Sequence, residues 1–217
     1  MFFRLLLAAC FCSSLFGAAH THPGGLDNKG GHQNKATGEY HYHQKSVPYD
    51  RDLYKHWVDE DKDCQDARQE VLVAESTIPV TLDSSGCKVL SGRWECPYTG
   101  RVFTDPKRLD IDHYVPLAEV HRSGGNVWAA AQRESYANDL SNPNTLVAVY
   151  LGANRSKSDR DPSDWLPPDE TYRCEYLRTW VALKKHWGLS MDPKEKAFID
   201  ASDCFNEKEA GPEQEGK

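Results

Sequence analysis

Residues 109–117 read LDIDHYVPL, and residues 144–159 read NTLVAVYLGANRSKSD. The first run alternates like a strand and ends with a carboxylate beside an imidazole, Asp112 and His113. The second is also strand-like. It passes through Gly152 and Ala153 into Asn154, Arg155 and Lys157, where the pattern turns helical. A carboxylate, an imidazole and an amide are what single-metal phosphodiester chemistry needs. The oxygens of Asp112 and Asn154 suit a hard cation such as Mg²⁺. His113 suits proton removal from water. The cation would stabilise charge on the phosphate and on the leaving oxygen.

A strand, a hairpin return and a helix that carry DH, then N, then N-R-x-K resemble the HNH endonucleases of the ββα-metal superfamily. DIDHYVP and NRSKSD are similar to the HNH module of RNA-guided CRISPR nucleases. The wider context, DHYVPLAEVHRSGG, YANDL, ANRSKSDRDPSDWLPP and YRCEYLRTWVALKKHWGLS, resembles a group of secreted bacterial HNH-family proteins over roughly residues 50–204. The resemblance implies an α+β fold, a ββα-metal (HNH, His-Me finger) core with flanking helices and a small β meander. It implies one Mg²⁺ or Mn²⁺ on Asp112 and Asn154, with His113 as the general base. It also implies a structural asparagine that braces the loop holding the histidine. Asn144 takes that place if the hairpin is one residue longer, and Thr145 takes it on strict alignment with LVAV. Similar exported proteins carry cysteines at the places of Cys64, Cys87, Cys174 and Cys204; the expected pairs are Cys64 with Cys87 and Cys174 with Cys204, each tying a helix to a neighbouring segment, which leaves Cys96 as a spare thiol.

The 217 residues suffice for one core and an appendage, and 39% of them are hydrophobic. Residues 1–19 read as a secretory signal peptide, with Arg4 before a short apolar run and Gly17-Ala18-Ala19 as the cleavage site. Leu7-Ala8-Ala9-Cys10 offers an alternative, lipoprotein-type processing box, with a very short apolar run before it. No internal run is long enough for a membrane helix, so no membrane contact is expected after signal removal. Of seven cysteines, Cys10 and Cys12 leave with the signal. The five that remain suit disulfides in an oxidising, secreted or periplasmic setting. No C-x-x-C pair remains to suggest a zinc knuckle.

The formal net charge is −7. Losing Arg4 makes it −8, from 25 basic and 33 acidic residues. That sign argues against tight, extended nucleic-acid binding, which draws on phosphate neutralisation, but it is compatible with a locally basic cleft. Arg122 is the leading candidate for a phosphate contact, with Arg155 and Lys157 behind it. Glu119 and His121 suit phosphate or metal contact and a solvated face equally. Asn154 has a second reading as a helix cap.

Residues 20–46 form a His- and Gly-rich leader without apolar periodicity. His20, His22, His32, His41 and His43 suit Zn²⁺ or Cu²⁺, and the leader reads as a metal-binding appendage. Residues 47–206 form the nuclease domain: helix in two pieces over 49–75, short strands over 78–104, a helix over 126–139 with Trp128, Ala131 and Tyr136 inside. A further helix spans 171–187, and Asp192-Pro193 starts the last one. Residues 207–217 read as a disordered acidic tail. The substrate expected is DNA, with RNA as an alternative, and no protein partner is implied. Two competing readings are a non-catalytic metal-binding protein centred on the leader and a toxin or effector nuclease. No delivery domain supports the latter. With an ordinary imidazole pKa of about 6.5 at His113, activity is expected to fall just below neutrality.

Overall fold

The computed structural model describes residues 47–205 and the backbone of two leader strands, β1 (Gly31–Gln33) and β2 (Tyr40–Tyr42). The signal segment, the rest of the leader and the acidic tail lie outside the described residues, as do the side chains of the leader histidines. The chain divides into two units, Met1–Gln44 and Lys45–Lys217. In the first, β1 and β2 pair antiparallel, with His32 opposite His41 in register.

The second unit opens with a 3₁₀ turn, Arg51–Leu53, capped by the Asp50 carboxylate on the Asp52 N–H. Helix α1 (Ala67–Ala74) follows, capped by Asp66 on the Gln69 N–H. The segment between them is not helical as expected. Trp57, Lys62 and Cys64 all have positive φ, which a helix cannot accommodate. The Cys64–Cys87 disulfide ties this segment to the meander.

The meander is two hairpins, β3 (Thr81–Leu82) with β4 (Val89–Ser91), and β5 (Trp94–Cys96) with β6 (Arg101–Phe103). Gly100, at φ +63°, closes the second hairpin. Strand β7 (Leu109–His113) then pairs antiparallel with β8 (Leu146–Tyr150), in a register that sets Asp112 opposite Val147 and His113 opposite Leu146. Between them run α2 (Leu117–Arg122) and α3 (Ala130–Ala137). Tyr136 is buried as expected, but Ala131 is exposed, because α3 turns Arg133, Tyr136 and Ala137 inward instead. Helix α4 (Leu151–Lys157) follows β8 directly and packs on both strands.

Helix α5 (Arg173–His186) buries Tyr176, Leu177, Trp180 and Leu183 on one side, the i, i+1, i+4, i+7 stripe of an amphipathic helix. Gly188, at φ +66°, lies just beyond its end. Asp192 and Glu195 form a capping box for α6 (Pro193–Asp200). The Cys174–Cys204 disulfide joins α5 to the last described turn, and Cys96 is free and buried. Among the described residues the fold is thus α+β, with four two-stranded antiparallel sheets and six α-helices.

The β7–β8 pair lies at the centre of the core. All but Asp110 and Tyr150 of its ten residues are buried. A two-stranded sheet leaves an edge of unpaired N–H groups. Here side chains cap it: the Ala148 N–H donates to Glu75 Oε2 at 2.9 Å, and the Tyr150 N–H to Cys96 Sγ at 3.2 Å. On the far side, fully buried Lys184 on α5 binds Glu119 of α2 and Glu195 of α6, each at 2.7 Å. That network locks three helices together, since a buried ammonium needs every donor filled.

Candidate active site

The end of β7 and the start of α4 border a cleft of about 400 Å³, lined by Arg51, Asp112, His113, Asn154, Arg155 and Asp159 among others. Asp112 is 5% exposed. Its Oδ2 accepts from the Tyr98 hydroxyl at 2.7 Å and from Lys157 Nζ at 2.6 Å. Burial raises the Asp112 pKa and lowers that of Lys157, while each charge opposes the shift of the other.

His113 is also 5% exposed. Its Nε2 lies 3.0 Å from the Ala137 carbonyl oxygen. A carbonyl can only accept, so Nε2 carries the proton and Nδ1 keeps its lone pair. The rings of Trp57 and Tyr136 lie 5.8 and 6.1 Å away. Burial pushes the imidazole pKa down to about 3, which the Ala137 hydrogen bond only partly offsets. An acid limb just below neutrality therefore does not come from this group.

Asn154 is not the cap of its helix. Helix α4 begins at Leu151, so Asn154 sits in the helix interior, one turn in. Its Nδ2 donates to Asp110 Oδ2 at 3.2 Å, which leaves the amide oxygen free. Arg155 is exposed, 4.0 Å from the same carboxylate.

Several residues singled out in the sequence do other work. Lys157 cannot meet phosphate, since it is fully buried against Asp112 and the His113 carbonyl. Arg122 is a strut: it holds Asp159 through the carboxylate at 2.7 Å and the carbonyl at 2.6 Å, and it also binds Glu119. Three of its five N–H groups are thereby engaged within the protein. Asn144 is exposed, and the buried place beside it belongs to Thr145, whose hydroxyl donates to Asp139 at 2.7 Å. The Thr145 carbonyl accepts the Tyr114 N–H at 3.0 Å. Bracing of the loop after His113 therefore falls to Thr145. His121 is buried between the Tyr54 hydroxyl and the Val47 carbonyl, away from solvent.

Two contributors were not legible in the sequence. Tyr98 lies in a Pro-Tyr-Thr-Gly turn, and nothing in that turn signals its bond to Asp112. Arg51 comes from sixty residues upstream, lines the cleft, and forms no ion pair among the described residues. It is near enough for its charge to lower the proton affinity of His113.

Residues 66–199 match the family described as GmrSD restriction endonucleases, C-terminal domain, and the chain belongs to that family, which is a nuclease family. A protein of Arthroderma benhamiae, described as an uncharacterized secreted protein, is 41% identical over 151 residues, covering 70% of this chain and 72% of the relative. No solved structure matches the chain. With a secreted relative and two disulfides, the protein is an exported one.

Proposed function

We propose that the chain is an exported, metal-dependent endonuclease of the HNH type, that β7, β8 and α4 are its ββα-metal core, and that DNA is its substrate, with RNA as the alternative. The observation that carries this reading is the state of His113. It is buried, oriented by the Ala137 carbonyl, and has a free Nδ1 in a cleft shared with Asp112 and Asn154. That is the state a general base needs.

The donor set fits a hard divalent ion. Asp112 keeps Oδ1 and Asn154 keeps its amide oxygen. Mg²⁺ characteristically takes one or two protein oxygens and completes its shell with water and phosphate. Mn²⁺ accepts the same ligands. Such an ion would supply charge stabilisation on the phosphate and on the leaving oxygen. The chain supplies the rest. His113 Nδ1 takes the proton of the attacking water, and Tyr98 and Lys157 hold the Asp112 carboxylate in one orientation. Arg51 and Arg155 are the guanidinium groups available for the phosphate.

Plasmid nicking by the purified full chain, with and without EDTA, tests the reading. His113→Ala is expected to lose nearly all cleavage while remaining folded. Asn154→Ala is expected to lose activity and regain part of it at raised metal concentration. Cleavage by His113→Ala at the wild-type rate would falsify the assignment.

A further inference from the structure

The chain is acidic overall, yet residues 88–108 carry Lys88, Arg93, Arg101, Lys107 and Arg108 against only Glu95 and Asp105. Within this stretch two exposed guanidinium groups are held in place without a carboxylate. That of Arg101 lies 4.8 Å from the centre of the Tyr150 ring and 5.2 Å from that of Phe103. That of Arg108 lies 5.8 Å from the Tyr150 ring. Phe103 and Tyr150 are themselves stacked, 5.1 Å apart and 9° from parallel. Neither arginine has an ion-pair partner among the described residues.

This shelf is joined to the cleft. Tyr150 is the last residue of β8 and lies opposite Leu109 in the register. The next residue of β7, Asp110, meets both Asn154 and Arg155, and both of those line the cleft. Leu109 to His113 spans four residues of strand, roughly 14 Å, a distance of a few nucleotides.

Resting on the nuclease reading above, we propose that Arg101 and Arg108, fixed over Tyr150, extend the cleft through Arg155 and bind the substrate strand a few nucleotides from the bond that is cut. Guanidinium planes stacked on an aromatic ring offer a phosphate two donors and a base a flat surface, without reading sequence. Cation–π contact fixes each group while leaving its donors free. A carboxylate partner would have taken up some of them, as Asp159 does for Arg122. The net negative charge of the chain is then no obstacle, because the positive charge is concentrated where the strand lies.

The test is fluorescence anisotropy of a labelled single-stranded DNA of about 20 nucleotides, long enough for an extended site, with the full chain in EDTA over a series of salt concentrations. Arg101→Gln/Arg108→Gln is expected to weaken binding roughly tenfold or more and to reduce the slope of log K against log salt by about 1.4, two phosphates at about 0.7 each. Arg101→Lys/Arg108→Lys should keep most of the slope. Hydrolysis of bis(p-nitrophenyl) phosphate, which reaches only the cleft, should be unchanged in both. Unaltered affinity and slope in the glutamine variant, or no measurable DNA binding by the wild type, would overturn the proposal. Should the glutamine double variant fail to fold, Arg108→Gln alone decides, with a slope change of about 0.7 expected. A wild type that binds DNA through these arginines but cleaves neither substrate would reject the catalytic reading and leave the shelf standing.

Discussion

Lys157 Nζ lies 2.6 Å from Asp112 Oδ2, with both side chains withdrawn from solvent. The lysine that sequence places among phosphate contacts is instead the counter-charge of a candidate metal ligand. Removing one member of such a pair strands the other charge in a poorly solvating interior. Lys157→Met is therefore expected to cost about 3–5 kcal/mol. Asp112→Asn/Lys157→Met leaves no buried charge, and the asparagine oxygen still accepts from Tyr98. It should recover most of that loss while remaining inactive. Urea unfolding of the wild type, the two single variants and the double variant closes the cycle. A double variant as unstable as Lys157→Met would show that the pair is not the source of the cost.

His113 links the site to pH. Its folded pKa, about 3, lies below the ordinary 6.5. Between those values the unfolded chain binds a proton that the folded chain refuses. The contribution of His113 is thus fully present above about pH 6.5 and is lost as pH falls toward 3, with a slope of at most about 1.4 kcal/mol per pH unit. For catalysis, the base stays neutral through weakly acid pH. We expect kcat/KM of the wild type to show no fall centred near pH 6.5. His113→Gln should flatten the stability profile between about pH 3 and 4.5, below the range in which Glu75 titrates. A profile as steep as the wild type's would count against burial of a neutral imidazole.

Local pattern made the strands, the helix after β8, the α5 stripe and the α6 cap legible, because each depends on spacing or on a cap within a few residues. The pairing of Cys64 with Cys87 and of Cys174 with Cys204, expected from resemblance, is present. What sequence did not give are the tertiary partners. Arg122, Lys157 and Arg155 look alike in a basic motif. Only the fold separates the strut from the buried counter-charge and from the exposed cation. Arg51 reaches the cleft, and Tyr98 reaches Asp112 behind it, from segments with no motif at all. The choice between Asn144 and Thr145 turned on a one-residue register. Such a shift exchanges the buried face of a strand for the exposed one.

The two disulfides close loops with sequence separations of 23 and 30. In the chain-entropy view each restrains the unfolded state by roughly 3 kcal/mol. Cys87→Ser/Cys64→Ser and Cys204→Ser/Cys174→Ser should each lower stability by about that amount in guanidinium unfolding. The first pair should matter more to activity, because Cys64 anchors the segment that carries Trp57 against His113. Equal loss of activity from both pairs would argue against this division.

Glu75 caps the edge of β8 through the Ala148 N–H, and burial raises its pKa from 4.5 to about 7. A raised carboxyl works in the opposite direction to His113. Its contribution is fully present below about pH 4.5 and is lost as pH rises through 7, because the folded state must then ionise a desolvated group. Over the interval from about 4.5 to 6.5 the two groups oppose each other, so the wild-type stability profile should be nearly flat as far as they are concerned. Glu75→Gln keeps an oxygen for the Ala148 N–H and removes the titration. It is expected to be about as stable as the wild type at pH 4.5 and more stable at pH 8, by on the order of 1–2 kcal/mol for a half-buried group. Its profile should climb from pH 4.5 to 6.5, exposing the His113 contribution that Glu75 masks. Urea unfolding at pH 4.5, 6.5 and 8 measures this directly. If Glu75→Gln loses stability at pH 8, the carboxylate is needed ionised at the β8 edge, and the burial argument fails.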